Sequence, residues 1–307
     1  VFDVRRYARD LKPDVFHAHY VHGYGTMAAM AGVKPLIVTA MGSDIGSEAE
    51  RYWLVRRGAR YALDRADVIA VKDEIAVSRI NELTGRDKGN VIITPSCCDT
   101  TVFTPEAHSF ALRWKLDTAM CKSILYTRPF NSFYKAGVLV KAIPIVMAKH
   151  EDVKFVIVEH GEQINEFKTH VKSQPWADRV VFVPRIPHSE MPAYLATCDM
   201  WVDTFYPDSL VGGHGHGTNL IEAMSCGCVA VLPQRDEYGS TDFETTVAYQ
   251  PGDPISLALW IGLLLNEQEI RDILKIGARE HAIRIFDEAK VMGDMERVYE
   301  RLAGVKP

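Results

Sequence analysis

This 307-residue sequence has no apolar run approaching the roughly 20 residues that a membrane-spanning helix requires. No basic stretch followed by an apolar one stands at its start, so a soluble or at most peripheral protein is expected. Cysteine is sparse, with six residues at Cys97-Cys98, Cys121, Cys198 and Cys226-Gly227-Cys228. None falls in a C-x-x-C pair, so the pattern does not read as a zinc site, and reduced cytosolic thiols are expected. A strong charge of either sign is missing too: the formal net charge is -5 and the isoelectric point about 6.1. Such a chain offers polyanions no general field, which excludes nucleic acid as a partner unless a local basic patch exists. Internal repeats and low-complexity stretches are absent as well.

What is present is the balance of a soluble globular protein, 47% hydrophobic and 24% charged. The length exceeds what one core usually supports, so two domains are expected. Short apolar runs at 14–18, 36–40, 68–71, 91–94, 123–127, 154–158, 180–183, 200–203 and 228–232 alternate with segments of helical period. Several are continuous Val/Ile runs without polar alternation, which suits strands covered by helices on both faces. The class is therefore α/β, doubly wound, with parallel sheets and crossover helices.

A boundary is expected at Thr104-Pro105-Glu106, after which a polar helix at 109–116 opens a new βα series. This divides the chain into residues 1–106, 107–286 and a terminal segment 287–307, whose amphipathic helix at 287–302 could pack back across both domains. The second domain has five strand candidates and reads as a full Rossmann-like domain. The first has four and reads as the latter part of one. The sequence opens at Val1 inside a helical pattern at 3–11, so a further N-terminal piece is expected.

In open parallel sheets ligands bind beyond the carboxyl ends of the strands. After the run at 200–203 comes a loop with four glycines in six residues, Gly212-Gly213-His214-Gly215-His216-Gly217, and then a helix from Thr218-Asn219 to Ser225. Such a loop presents backbone N–H groups at the positive end of a helix dipole, which suits a phosphate or diphosphate. It is not a P-loop, because no Lys-Ser/Thr follows the last glycine. Glu222 stands among apolar residues of that helix and needs hydrogen-bond donors, for which ribose hydroxyls are suitable. After the run at 123–127 come Arg128 and Lys135, two cations placed to neutralise a diphosphate. Each taken singly would read as a surface charge; their common place on one strand end argues for joint function.

These residues resemble the GT-B glycosyltransferases, specifically the retaining group with a Glu, seven residues and a second Glu (glycosyltransferase family 4-like, glycosyl transferases group 1). Arg128 and Lys135 match that group's diphosphate-holding pair. Glu222 in Ile221-Glu222-Ala223-Met224-Ser225-Cys226-Gly227 matches its second glutamate, which receives the ribose. Pro187-His188-Ser189-Glu190-Met191 and Pro251-Gly252-Asp253-Pro254 match further segments of the donor domain. In the first half the matching segments are Lys12-Pro13-Asp14-Val15-Phe16-His17-Ala18-His19, Gly42-Ser43-Asp44-Ile45, Arg65-Ala66-Asp67-Val68-Ile69 and Thr94-Pro95-Ser96 through Phe103-Thr104-Pro105. The resemblance implies two Rossmann-like domains facing a cleft. It also implies a nucleotide diphosphate sugar as donor, a carbohydrate or lipid-linked acceptor, and no cofactor or metal. It assigns Arg185, Ile186, His214, Gly215, His216, Gly217, Thr218, Asn219 and Glu222 to the donor, and Arg128, Lys135 and His19 to catalysis. His17 ranks behind His19.

The departures from that pattern are equally specific. His214 stands where the group has its first glutamate, Met41 where it has a histidine, and Ser96-Cys97 where it has Asn-Gly. The group's glycine-rich first loop is absent. A histidine can still hydrogen-bond a sugar hydroxyl. A reading of His160, His188, His214 and His216 as a metal site is disfavoured, because the glycines offer a simpler phosphate account. The basic, aromatic stretch at 51–61 could lie on anionic lipid at the inner membrane face, although Glu48, Glu50 and Asp64 dilute its charge and favour a packing helix. The mechanism implied is front-face attack with retention, the departing phosphate taking the acceptor proton, and domain closure about 104–106 excluding water. A non-catalytic nucleotide-sugar binder and a GT-B nucleotide-sugar epimerase stay open as alternatives.

Overall fold

The structure is a computed structural model that describes residues 1–85, 87, 89–206, 217–234 and 244–304. The first sheet holds β1 (Phe16–His19), β2 (Leu36–Thr39), β3 (Val68–Val71) and β4 (Val91–Ile93) in the order β1-β2-β3-β4, all parallel. The second holds β5 (Lys122–Tyr126), β6 (Val153–Val158), β7 (Val180–Val183), β8 (Met200–Val202), β9 (Val229–Pro233) and β10 (Thr246–Tyr249), again all parallel. Its order is β10-β9-β8-β5-β6-β7, so the strand order reverses between β5 and β8. That reversal is where open α/β sheets leave a crevice for ligands.

The helices of the first unit are α1 (Phe2–Leu11), α2 (Thr26–Ala31), α3 (Ser47–Arg51), α4 (Trp53–Arg65) and α5 (Glu74–Thr84). Around the second sheet lie α6 (Phe110–Lys115), α7 (Gly137–Met147), α8 (Ile164–Lys172), α9 (Met191–Thr197), α10 (Thr218–Ser225), α11 (Pro254–Asn266) and α12 (Gln268–Phe286), and the chain continues into α13 (Glu288–Ala303). Local chemistry sets several of their ends. Asp73 caps α5 by accepting from the Ala76 N–H at 2.8 Å, and Gly85 closes that helix at φ 75°. Asp253 does the same for α11 at the Ile255 N–H, with Pro254 at the first helical position.

The second sheet is buried on both faces, and the two-residue period of its strands sorts the side chains. Ile124, Tyr126, Phe155 and Ile157 pack with α7 and α11 in one core, while Leu125, Val156 and Trp201 pack with α10 in the other. Contacts divide the chain into two compact units, Val1–Cys97 with α13, and Cys98–Tyr206 with Thr218–Asp287. The division falls ahead of the Thr104-Pro105-Glu106 stretch expected from the sequence, because the intervening residues are tied to the second unit. Cys98 N–H donates to the Phe286 carbonyl at 3.1 Å, and Arg279 donates to the carbonyls of Thr100 and Phe103 at 3.0 and 2.8 Å. The terminal helix belongs to the first unit, where Met295 packs with Ile37 and Val68.

Two expectations are corrected. Among the described residues the second sheet has six strands, not five, since β10 pairs alongside β9 at the sheet edge. The stretch at 51–61 is not one helix: Tyr52 is extended (φ -124°, ψ 112°) and separates α3 from α4. Among the described residues no helix is long and apolar enough to cross a membrane.

Candidate functional site

At the reversal of strand order, the residues that follow β5 and β8 meet. Arg128 lies just past β5, and its guanidinium grips Asp203, just past β8, in a two-bond fork: Nε to Oδ1 at 3.0 Å and Nη2 to Oδ2 at 2.7 Å. The pair is largely enclosed, with side-chain exposures of 15% and 5%. Parallel forked bonds of this kind fix the orientation of both planes. The rings of Tyr134 and Trp201 flank the guanidinium carbon at 5.5 and 5.9 Å, and Trp201 Nε1 donates to Thr127 Oγ1 at 2.9 Å. The Phe205 N–H donates to Asp203 Oδ1 at 2.9 Å, so the loop after β8 is held by the same carboxylate.

Lys135 precedes α7 with φ 55°, in the left-handed region, and its Nζ stands 5.6 Å from the centre of the Tyr206 ring. Tyr134 and Thr204 link the two loops further, Thr204 Oγ1 donating to the Tyr134 carbonyl at 2.7 Å. The loop after β5 and the loop after β8 are thus joined by an ion pair, ring contacts and a hydroxyl bridge.

Glu222 is buried in α10 at 5% exposure. His188 Nε2 lies 2.8 Å from its Oε1, and the imidazole is itself 75% exposed. Burial raises the Glu222 carboxyl above its ordinary range; the His188 hydrogen bond and the positive charges of His188 and Arg128 pull it the other way. Arg128 therefore lies within electrostatic reach of Glu222. Thr218 and Gly217 are exposed and Asn219 half-buried at the start of α10. Arg185 is exposed, whereas Ile186 is buried and packs with Leu220 and Ile221 in one core. His214, Gly215 and His216 lie outside the described residues.

In the first unit His19 ends β1 and is exposed. His17, two residues earlier on the same face, stacks on it with centroids 4.1 Å apart. The His17 ring nitrogens are each 2.6 Å from a hydroxyl, Nδ1 from Tyr299 and Nε2 from Thr39. Burial, and then the neighbouring His19, lower its pKa to about 4, so the ring is neutral at physiological pH. Asp44 of the Gly42-Ser43-Asp44 motif is fully buried and accepts the N–H groups of Val21, Met41 and Gly42 at 2.6, 3.0 and 2.9 Å. It pins the loop after β1 to the loop after β2.

Asp203 was not singled out by sequence reasoning. Its signal, an acid closing the apolar run Met200-Trp201-Val202, acquires meaning only once β8 is known to adjoin β5. Of the four histidines considered for a metal, His188 faces Glu222 and His160 lies after β6, where its carbonyl accepts from the Phe130 N–H at 2.6 Å. Among the described residues no group of three or more His, Cys, Asp or Glu side chains is arranged to hold a metal ion.

Comparisons with known proteins agree with this architecture. Residues 122–281 match the family described as glycosyl transferases group 1, and residues 1–73 match one described as glycosyl transferase 4-like. A phosphatidyl-myo-inositol mannosyltransferase of Mycobacterium leprae is 26% identical over 185 residues, 59% of this chain and 47% of that protein. A GDP-mannose-dependent alpha-(1-6)-phosphatidylinositol monomannoside mannosyltransferase of Mycolicibacterium smegmatis is 24% identical over 275 residues, 84% of this chain and 68% of that protein. The chain spans about half the length of the mycobacterial phosphatidyl-myo-inositol mannosyltransferases it matches. Anabaena HepE, solved in complex with UDP, superposes with a TM-score of 0.82 at 16% identity, over 98% of this chain and 81% of that one. The fold is that of the GT-B class, and the chain belongs to the glycosyl transferases group 1 family.

Proposed function

We propose that this protein transfers a sugar from a nucleotide diphosphate sugar to an acceptor hydroxyl with retention of anomeric configuration. The observation that carries the reading is the joining of the loops after β5 and β8, where Arg128 is forked onto Asp203 and Lys135 stands beside the Tyr206 ring, while the carboxyl of Glu222, buried in α10, feels the charge of Arg128. Glu222 accepts the ribose hydroxyls. Arg128, Lys135 and the N–H groups opening α10 stabilise the charge that develops on the leaving diphosphate, where preorganised donors have most effect. The departing phosphate oxygen takes the acceptor proton as the new glycosidic bond forms on the same face, so no separate general base is required. His19 is the group of the first unit assigned to the transfer.

The acceptor class is a carbohydrate or a lipid-linked polyol, the latter in keeping with the phosphatidylinositol named for the mannosyltransferase relatives. A peripheral lipid contact is supported by Trp53 and Leu54, 70% and 65% exposed beside Arg56, Arg57 and Arg60.

Calorimetry with UDP and GDP, and turnover of radiolabelled UDP-glucose and GDP-mannose, test the reading. One nucleotide should bind, and Glu222→Ala should weaken it about 10- to 100-fold, the loss expected when a charged hydrogen-bond acceptor is removed. Unchanged affinity in Glu222→Ala would sink the assignment.

A further inference from the structure

Arg128 is placed by more than its own loop. Asp203 takes both Nε and Nη2, is itself almost wholly buried, and receives the Phe205 N–H on the oxygen that faces Nε. The Tyr134 and Trp201 rings close around the guanidinium. A guanidinium held in this way has a fixed plane, and the two Nη1 hydrogens and the second Nη2 hydrogen are left for other acceptors. The two opposite charges also cancel at short range inside a poorly solvated place.

We propose that Asp203 is a positioning residue for the donor diphosphate, fixing the direction of the Arg128 N–H groups and cancelling their net charge. This rests on the reading of Arg128 as a diphosphate ligand. Arg128 then acts by the geometry of its hydrogen bonds, and the net charge of the diphosphate falls on Lys135 and the start of α10. The consequence has opposite signs for binding and for turnover. Removing the carboxylate charge strengthens the local attraction for an anion, while freeing the guanidinium to rotate misplaces it for the transition state.

The test uses Asp203→Asn, Arg128→Gln and the double variant in the whole chain. UDP and GDP affinities are read by calorimetry, kcat by sugar release from UDP-glucose and GDP-mannose, and folding by thermal unfolding. Asp203→Asn should tighten the bound nucleotide about tenfold, as loss of a nearby like charge predicts. The same substitution should lower kcat about 100-fold, the scale of a misplacement near 1 Å. A merely structural residue would weaken both together. In the Arg128→Gln background, adding Asp203→Asn should change kcat by less than about twofold, since the two act as one unit. This pair of uncharged amides also keeps the comparison open should Asp203→Asn alone fail to fold. If Asp203→Asn weakens affinity and kcat in parallel, or costs as much in the Arg128→Gln background as alone, the positioning role is overturned while the reading of Arg128 stands. If Arg128→Gln leaves both affinities and kcat untouched, or the parent binds neither nucleotide, the assignment of Arg128 fails and takes this one with it.

Discussion

At the scale of single residues, Glu222 shows how a buried acid can stay available as an acceptor. Burial favours its protonated form, and the His188 hydrogen bond and the charges of His188 and Arg128 oppose that. A protonated Glu222 has less to offer a ribose diol, so nucleotide affinity should fall as pH drops toward the raised range of this carboxyl. His188→Ala removes both His188 influences, leaves only the Arg128 charge to oppose burial, and lets burial raise the carboxyl further. The acid limb of UDP or GDP binding should then move to higher pH. At pH 5 the variant should bind about tenfold more weakly than the parent, the scale of one charge-assisted hydrogen bond, with little difference at pH 8. An acid limb that stays in place, measured by calorimetry across that range, would show that His188 does not support the Glu222 carboxylate.

At the scale of elements, the loop after β5 is shaped by the loop after β6. Gly161 has φ 104°, and a Cβ there would collide with the Phe130 backbone. The absence of that atom lets Phe130 N–H reach the His160 carbonyl at 2.6 Å and the Gln163 N–H reach the Phe130 carbonyl at 2.9 Å. Phe130 is two residues from Arg128, so the glycine sets where the guanidinium starts. Gly161→Ala should destabilise the second unit by about 2 kcal/mol or more, through strain and overpacking. It should also weaken nucleotide binding, both visible in one thermal-shift titration; full stability with intact binding would show that the loop accommodates the methyl group.

The same element level shows what the sequence could reveal. The β-branched runs at 68–71 and 180–183 mark β3 and β7 to the residue, because strands buried on both faces need continuous apolar side chains. The edge strand β10, Thr-Val-Ala-Tyr, carries less apolar weight and gives a weaker strand signal, and the break at Tyr52 lies within a helical pattern that periodicity alone does not interrupt. Arg128, Lys135 and Glu222 are legible in the sequence as candidates, because the first two follow a strand run and the third lies in the helical stretch after the glycine-rich segment. Asp203 is not, since its partner lies 75 residues away and the adjacency of β5 and β8 follows from strand order, which composition and period do not encode.

At the scale of the whole molecule, the chain builds the first unit, passes through the second and returns to the first as α13. There Met295, Val298, Tyr299 and Leu302 lie against Ile37 and Val68, and the Tyr299 hydroxyl sits 2.6 Å from His17 Nδ1. Among the described residues, His17 hydrogen-bonds with Tyr299 and Thr39 and stacks on His19, none of them a carboxylate that would favour the imidazolium. A histidine in the unfolded chain ionises near about 6.5, whereas burial holds His17 down to about 4 in the folded one. Between these values the unfolded state binds the extra proton, so the stability present above the upper value is lost as pH falls through the lower one. Allowing for partial exposure, the loss is about 2 kcal/mol. Thermal unfolding from pH 8 to pH 4 should therefore show a steeper decline for the parent than for His17→Asn, which has no proton to bind. Hydrogen exchange should place the added opening in β1, β2 and α13 and leave the strands of the second sheet protected. If His17→Asn declines as steeply as the parent, or the exchange spreads equally to β5 and β6, the neutral histidine beneath α13 is not what limits the first unit in acid.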